Sequence, residues 1–350
     1  MAATVSPSRA PSRADLDARK LARLRRLLRT ILPTNGLYAT KLGRHIDIDA
    51  LRSLDDIAAW PCTTKEELVA AAVDGRPGNV TWSADRYVRF HQTSGTHGRP
   101  LQAWDTAEDW CWWMDCWRVV LARGAVGPGD RVLVASSFGP YAGFWSAFDA
   151  AVAAGALVIP GGGLSSLARL ELVRRSGATV LVATPSYALH LAEVAVDAAV
   201  DTASLPIRLL IVAGEPGGSI PAVRRRLAEA WGAAVLDHAG ATEVGPWGVG
   251  DLPPAASGDR ARPPGLHVIE EHFHPEFLAV GTGGAAAPGQ AAELVLTTLG
   301  RAGAPVIRYR TGDVVRPVWP GDEAIAAGAC PWVRLDGGVL GRVDDMLVVR

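Results

Sequence analysis

Four short segments carry residue types suited to chemistry on a phosphorylated ligand. Residues 91–100, HQTSGTHGRP, pack hydroxyls and glycines between a strand and a helix over residues 108–120. Glycines let backbone amides approach an anion closely and hydroxyls add donors, which is how phosphates are cradled. The lysine-bearing form GxxxxGK[ST] is absent, so the loop is not of that kind, and a plain polar loop stays open as a reading. Residues 213–218, AGEPGG, follow a strand and precede a helix, at the carboxyl-end position where α/β sheets bind ligands. Residues 237–243, DHAGATE, follow the next strand and open onto the same edge. An acid there can hold Mg²⁺ against phosphate oxygens; alternatively Thr242 and Glu243 form a turn and a helix cap. Residues 308–313, RYRTGD, end a strand in a turn. Asp313 can there accept both hydroxyls of a ribose, or merely close a hairpin.

These segments need a scaffold, and the pattern from residue 130 onward supplies one. Apolar, β-branched runs at 131–135, 157–159, 179–183, 207–212 and 234–236 alternate with helical stretches at 144–154, 165–176, 186–196 and 224–231. That alternation predicts parallel strands buried on both faces. After about residue 255 the texture changes to short strands at 265–270, 293–298, 306–309 and 314–318. The expected fold is therefore a large α/β domain with mostly parallel sheets flanked by helices, plus a small antiparallel, barrel-like subdomain. The expected divisions are a disordered start over 1–15, the α/β core over 16–255, the β-rich part over 256–340 and a hinge over 341–350. Leu16, Leu21, Leu24, Leu27, Leu28 and Ile31 recur at helical spacing, so an amphipathic helix should dock on the body.

Composition narrows the partners. The chain has 350 residues, 49% of them hydrophobic, and a net charge of -1, which gives no electrostatic reason to expect nucleic acid or an anionic membrane. Lysine occurs only at positions 20, 41 and 65, so from residue 66 onward no lysine is available for a catalytic role. The four cysteines form no CxxC, which favours a reducing, cytoplasmic setting. No apolar run of eighteen residues suggests a transmembrane helix.

Taken in order, the segments resemble the adenylate-forming superfamily of acyl-CoA synthetases, adenylation domains and luciferases, in its phenylacetate–CoA ligase branch. Residues 60–68, WPCTTKEEL, resemble that branch's entry motif, and residues 93–100 are similar to its phosphate loop, with Arg99 where lysine is usual. Residues 213–216, 238–243, 309–313 and 341–350 match its adenine-side, acidic, ribose and hinge motifs. The resemblance implies an enzyme that activates an aryl or arylacetic acid with ATP and Mg²⁺ to an acyl-adenylate, then transfers the acyl group to CoA. It implies phosphate contacts from Thr93, Ser94, Gly95, Thr96, Gly98 and Arg99. Gly214, Glu215, Pro216, Asp237, His238, Ala239 and Gly240 fall to the nucleotide, with Asp313 and Arg342 at its ribose. Thr242 and Glu243 are the catalytic pair, and Glu243 binds the metal. Phe138, Tyr141, Ala213 and His238 face the acid, although both rings also read as core packing.

Two departures qualify the implied chemistry. Ala239 stands where the family often has an aromatic ring, and the family's C-terminal domain, with its catalytic lysine, lies beyond the hinge at which this sequence ends. The expectation is retained binding of ATP and acid, slow adenylation and little thioester formation. An amine or a carrier protein is the alternative acceptor, a homodimer the alternative assembly, and a non-catalytic nucleotide- or aryl-acid-binding module the rival class. Cys330 with His267, His272 and His274 is too thin a ligand set to predict zinc.

Overall fold

The computed structural model describes residues 12–43, 46–93, 100–252, 263–287 and 289–345. The chain begins with α1 (Arg13–Ile31), α2 (Gly36–Leu42) and α3 (Lys65–Ala70), followed by an antiparallel ribbon of β1 (Tyr87–Gln92) and β2 (Gln102–Thr106). After α4 (Ala107–Arg123) come β3 (Arg131–Val134), α5 (Ala142–Ala153), β4 (Leu157–Pro160), α6 (Ser166–Ser176), β5 (Val180–Ala183) and α7 (Pro185–Asp197). They lead to β6 (Leu209–Val212), α8 (Pro221–Trp231) and β7 (Ala234–Ala241). The remainder is almost all strand: β8 (Gly245–Gly250), β9 (Gly265–Val268), β10 (Phe273–Ala279), β11 (Ala292–Thr298), β12 (Tyr309–Val318) and β13 (Arg334–Arg342).

Eleven of these strands form one sheet in the order β10-β11-β12-β13-β9-β8-β7-β6-β5-β3-β4. The parallel half behaves as its sequence requires. Val132, Val134, Val180, Val182 and Ile211 pack on one face, and Leu133, Leu181, Leu210 and Val235 on the other. Each such side chain contributes roughly 1.5–3 kcal/mol on burial, and helices cover both faces.

The expected barrel-like subdomain is not what the later strands make. β7 pairs in parallel with β6 up to Asp237 and antiparallel with β8 from His238 onward. The antiparallel strands thus continue the same open sheet instead of closing on themselves. Of the strands expected at 306–309 and 314–318, residues 306–308 are not strand, and Tyr309 runs on through 314–318 as the single β12, whose ladder is irregular around Val314 and Val315. Likewise β7 runs past residue 236 to Ala241, and the loop after β1 leads into β2 before α4 begins.

At the amino end α1 starts at Arg13, capped by Ser12 and Asp15. It docks through Leu16, Leu24, Leu28 and Ile31, all fully buried, and through a Lys20–Glu270 pair at 2.5 Å. No helix among the described residues is long and apolar enough to cross a membrane.

Candidate active site

A cavity of about 1180 Å³ is lined by residues from both halves of the sheet. Its acidic corner is the turn joining β7 to β8. Glu243 is largely buried there, with its Oε1 3.2 Å from Lys65 Nζ. A buried clamp holds the turn from beneath. Arg301 Nη1 donates to the Glu243 carbonyl at 2.8 Å, and Arg301 Nε donates to Asp105 Oδ1 at 2.6 Å.

Lys65 reaches this corner through pairing that no local pattern announces. Thr63 forms a parallel bridge with Tyr309: its amide donates to the Arg308 carbonyl at 2.8 Å, and its carbonyl accepts from the Arg310 amide at 2.9 Å. Thr64 then caps α3, making Lys65 the first residue of that helix. Arg308 adopts φ +51, a strained value for a residue with a side chain. Its guanidinium ties Glu276 to the carbonyls of Ala58 and Trp60, which fixes the segment leading into α3.

Opposite lies an arginine–carboxylate pair set by strand register. Asp313 on β12 faces Arg342 on β13, and Arg342 Nη1 donates both to Asp313 Oδ1 and to the Thr311 carbonyl, each at 2.7 Å. Burial raises the Asp313 carboxyl above its ordinary pKa, and Arg342 opposes that rise. Gly312 sits at φ +73, where a β-carbon would lie 2.8 Å from Arg342 Nη2. Glycine is needed here for both conformation and space.

A third wall comes from α4 and α5. Trp113, Trp117, Phe144, Ser146 and Ala147 line it, with the half-exposed Tyr141 at the edge. Trp117 Nε1 donates to Ser146 Oγ at 2.8 Å, and Ser146 Oγ donates to the Gly143 carbonyl at 2.7 Å. His238 closes this wall with its ring centroid 4.2 Å from that of Trp117. Nδ1 of His238 donates to the Gly248 carbonyl at 2.7 Å, and burial pushes the ring's pKa down to about 4.

Of the residues singled out in the sequence, the fold brings Thr93, Ala213, Gly214, His238 and Gly240 to the cavity, together with Tyr141. Thr242, Glu243, Asp313 and Arg342 line it as well. Ser94, Gly95, Thr96, Gly98 and Arg99 lie outside the described residues; at their flanks, the Thr93 amide and the Leu101 carbonyl pair at 2.9 Å.

Five do not line the cavity. Phe138 packs on Trp145 and Phe148 of α5. Glu215 accepts from the Ser186 amide in the first turn of α7, and the neighbouring Pro216 is exposed. Asp237 and Ala239 alternate to the other face of β7. There Ser219 donates to Asp237 at 2.5 Å, and Ala239 packs against Gly248.

Conversely, Trp113 and Trp117, which carry no motif, are both buried and cavity-lining. Lys65 and Tyr309 were also missed as wall residues. The entry motif's lysine and the four-residue spacing of the two tryptophans were the available signals.

A sheet that changes sense at an acid-bearing strand, next to a clamped carboxylate and an aromatic chamber, defines a nucleotide-dependent α/β enzyme. Residues 39–298 match the AMP-binding enzyme family. The chain is 32% identical to phenylacetate-coenzyme A ligase of Pseudomonas putida, over 99% of its own length and 75% of the relative's. It is 31% identical to the Escherichia coli (strain K12) enzyme of the same name, over 96% of this chain and 73% of that one. A crystal structure of 2-hydroxyisobutyryl-CoA ligase in complex with 2-HIB-AMP and CoA superposes with a TM-score of 0.86 at 27% identity, covering 98% of this chain and 73% of that one. The chain belongs to the AMP-binding enzyme family.

Proposed function

We propose that this protein is an AMP-forming acid–CoA ligase acting on an aryl or arylacetic acid. A carboxylate oxygen of the acid attacks the α-phosphorus of ATP, and the bond to the bridging oxygen of pyrophosphate breaks. The thiolate of CoA then attacks the acyl carbonyl and AMP leaves. The observation that carries this reading is one cavity holding Glu243 beside Lys65, the Asp313–Arg342 pair and a tryptophan-lined chamber.

The first step gathers negative charge, so these residues act by position and electrostatics. Lys65 supplies an ammonium next to Glu243, where the acid's carboxylate and the α-phosphate must meet. Thr242 donates to phosphate oxygen, and Thr93 with Ser94, Gly95, Thr96, Gly98 and Arg99 takes the β- and γ-phosphates. Asp313 accepts from the ribose hydroxyls while Arg342 fixes its orientation. Gly214 and Ala213 border the purine at the end of β6.

Mg²⁺ is characteristically held by one or two carboxylates plus substrate phosphates. Glu243, a buried carboxylate in the cavity wall, suits that mode, whereas Glu293, the other buried acid there, is tied to the Arg310 guanidinium. Bound there, the ion would neutralise phosphate charge. Trp113, Trp117 and Phe144 give the acid's ring an apolar chamber.

The test is pyrophosphate release from ATP and Mg²⁺ across aryl and arylacetic acids, with and without CoA. Acid-dependent release, with AMP formed in step with acyl-CoA when CoA is present, is the expected result. ATP binding without release for any acid would leave a nucleotide-binding module and overturn the proposal.

A further inference from the structure

The chamber wall has an unusual balance of hydrogen-bonding groups. The protons of its two indoles and of the Ser146 hydroxyl are already committed. Trp113 Nε1 donates to Asp105 at 3.2 Å, Trp117 Nε1 to Ser146 and Ser146 to the Gly143 carbonyl. His238 is different. A carbonyl can only accept, so the contact of Nδ1 with Gly248 puts the ring's proton on Nδ1. The neutral ring's Nε2 is left as a lone-pair acceptor. It would lie 3.6 Å from a β-carbon on Gly240, an exposed residue that lines the same cavity. Among the described residues, Gly248 is the hydrogen-bond partner found for this ring. The chamber wall therefore carries an acceptor.

We propose that His238 selects acids that carry a hydroxyl, on the ring or beside the carboxylate, by accepting a hydrogen bond from it at Nε2. This rests on the acid-activating reading above and narrows its substrate class. A buried acceptor gains little from an unsubstituted ring and is left unsatisfied by it. A site arranged to bond a substrate hydroxyl therefore discriminates strongly against the analogue lacking it. The preference should appear mainly in KM, because the bond forms in the ground state as well as in the transition state. His238 is a specificity-determining residue and takes no proton from the reacting groups.

The experiment uses matched pairs: phenylacetic acid against its ring-hydroxylated and α-hydroxylated forms, each measured by calorimetric binding and by pyrophosphate release. For the unaltered protein the best hydroxylated acid should exceed its parent by about 10- to 100-fold in affinity and in kcat/KM. In His238→Leu that ratio should fall toward one, and His238→Gln, which keeps an acceptor, should restore part of it. Should His238→Leu fail to fold, the ratio in the unaltered protein and in His238→Gln still decides. Equal affinity for parent and hydroxylated acids would overturn the proposal, as would a ratio that His238→Leu leaves intact. Binding with the predicted ratio but no pyrophosphate release would instead overturn the proposed reaction and keep the binding preference. Failure of every acid to bind would remove both.

Discussion

In the parallel half, β5 and β6 are buried at every residue, and their contribution to the cavity is Val182 and, just past β6, Ala213 and Gly214. In the antiparallel half, the strands and turns bring Glu243, Glu293, Arg310, Asp313 and Arg342 to the same cavity. The reason is geometric. A parallel strand covered by helices on both faces has nowhere to place a charge without desolvating it. An antiparallel strand can keep one face open, and β12 alternates accordingly, with Tyr309, Thr311 and Val315 buried and Arg310 and Arg316 exposed. One half therefore fixes shape and the other supplies charge.

Breaking the anchor on the charged side should have the largest effect. Arg301→Met leaves the fully buried Asp105 carboxylate without its charged partner, with only the Trp113 indole, among the described residues, donating to it, a situation that costs about 3–5 kcal/mol. Urea unfolding should show that loss, and a change below about 1 kcal/mol would mean that the β7–β8 turn does not depend on the clamp. Next comes a chemical lesion with little structural cost. Glu243→Gln should lower kcat for acid-dependent pyrophosphate release by about 10²- to 10³-fold, the scale for one lost electrostatic group, with the urea midpoint unchanged. A parallel-half lesion should do the reverse. Leu210→Ala removes a fully buried side chain and should reduce stability by about 3 kcal/mol. Turnover per folded molecule should stay as it was; a matching fall in kcat would dissolve the division of labour between the halves.

The same division explains what could be read in advance. Runs such as Val180–Ala183 and Leu209–Val212 are short, apolar and β-branched, so period and composition announce them. β8 reads GPWGVG and is buried at all six positions, but its glycines and proline look like a loop to any propensity argument. Asp313 resembled a turn residue because Thr311-Gly312-Asp313 is a turn-like string. In the structure it lies mid-strand, where the positive φ of Gly312 and an irregular ladder absorb the bend. Lys65 reaches Glu243 through the Thr63–Tyr309 bridge, a pairing between distant segments that leaves no local trace. The motifs thus picked out Glu243, Asp313 and Arg342, which the fold brings to one cavity, while packing partners of the wall such as Trp117 needed the fold.

Asp237 gives the smallest predicted effect and lies on the strand that both halves share. It is the last residue of β7 to pair with β6, and His238 is the first to pair with β8. Burial pushes its carboxyl up to about 6, against an ordinary value of 3.8. A carboxyl whose folded pKa lies above its unfolded one holds its proton longer in the folded state, so stability falls as pH rises from about 4 to about 6 and levels off above. Asp237→Asn removes that ionisation while keeping an oxygen to accept from Ser219. The variant should therefore be more stable than the parent near pH 7, by on the order of 2 kcal/mol, and the gain should vanish below about pH 4. Urea midpoints measured from pH 4 to 7.5 decide it. Curves that run parallel would mean that Arg224, the nearby cation opposing the rise, already holds the carboxylate charged, and that the shared strand tolerates a charge its parallel neighbours do not.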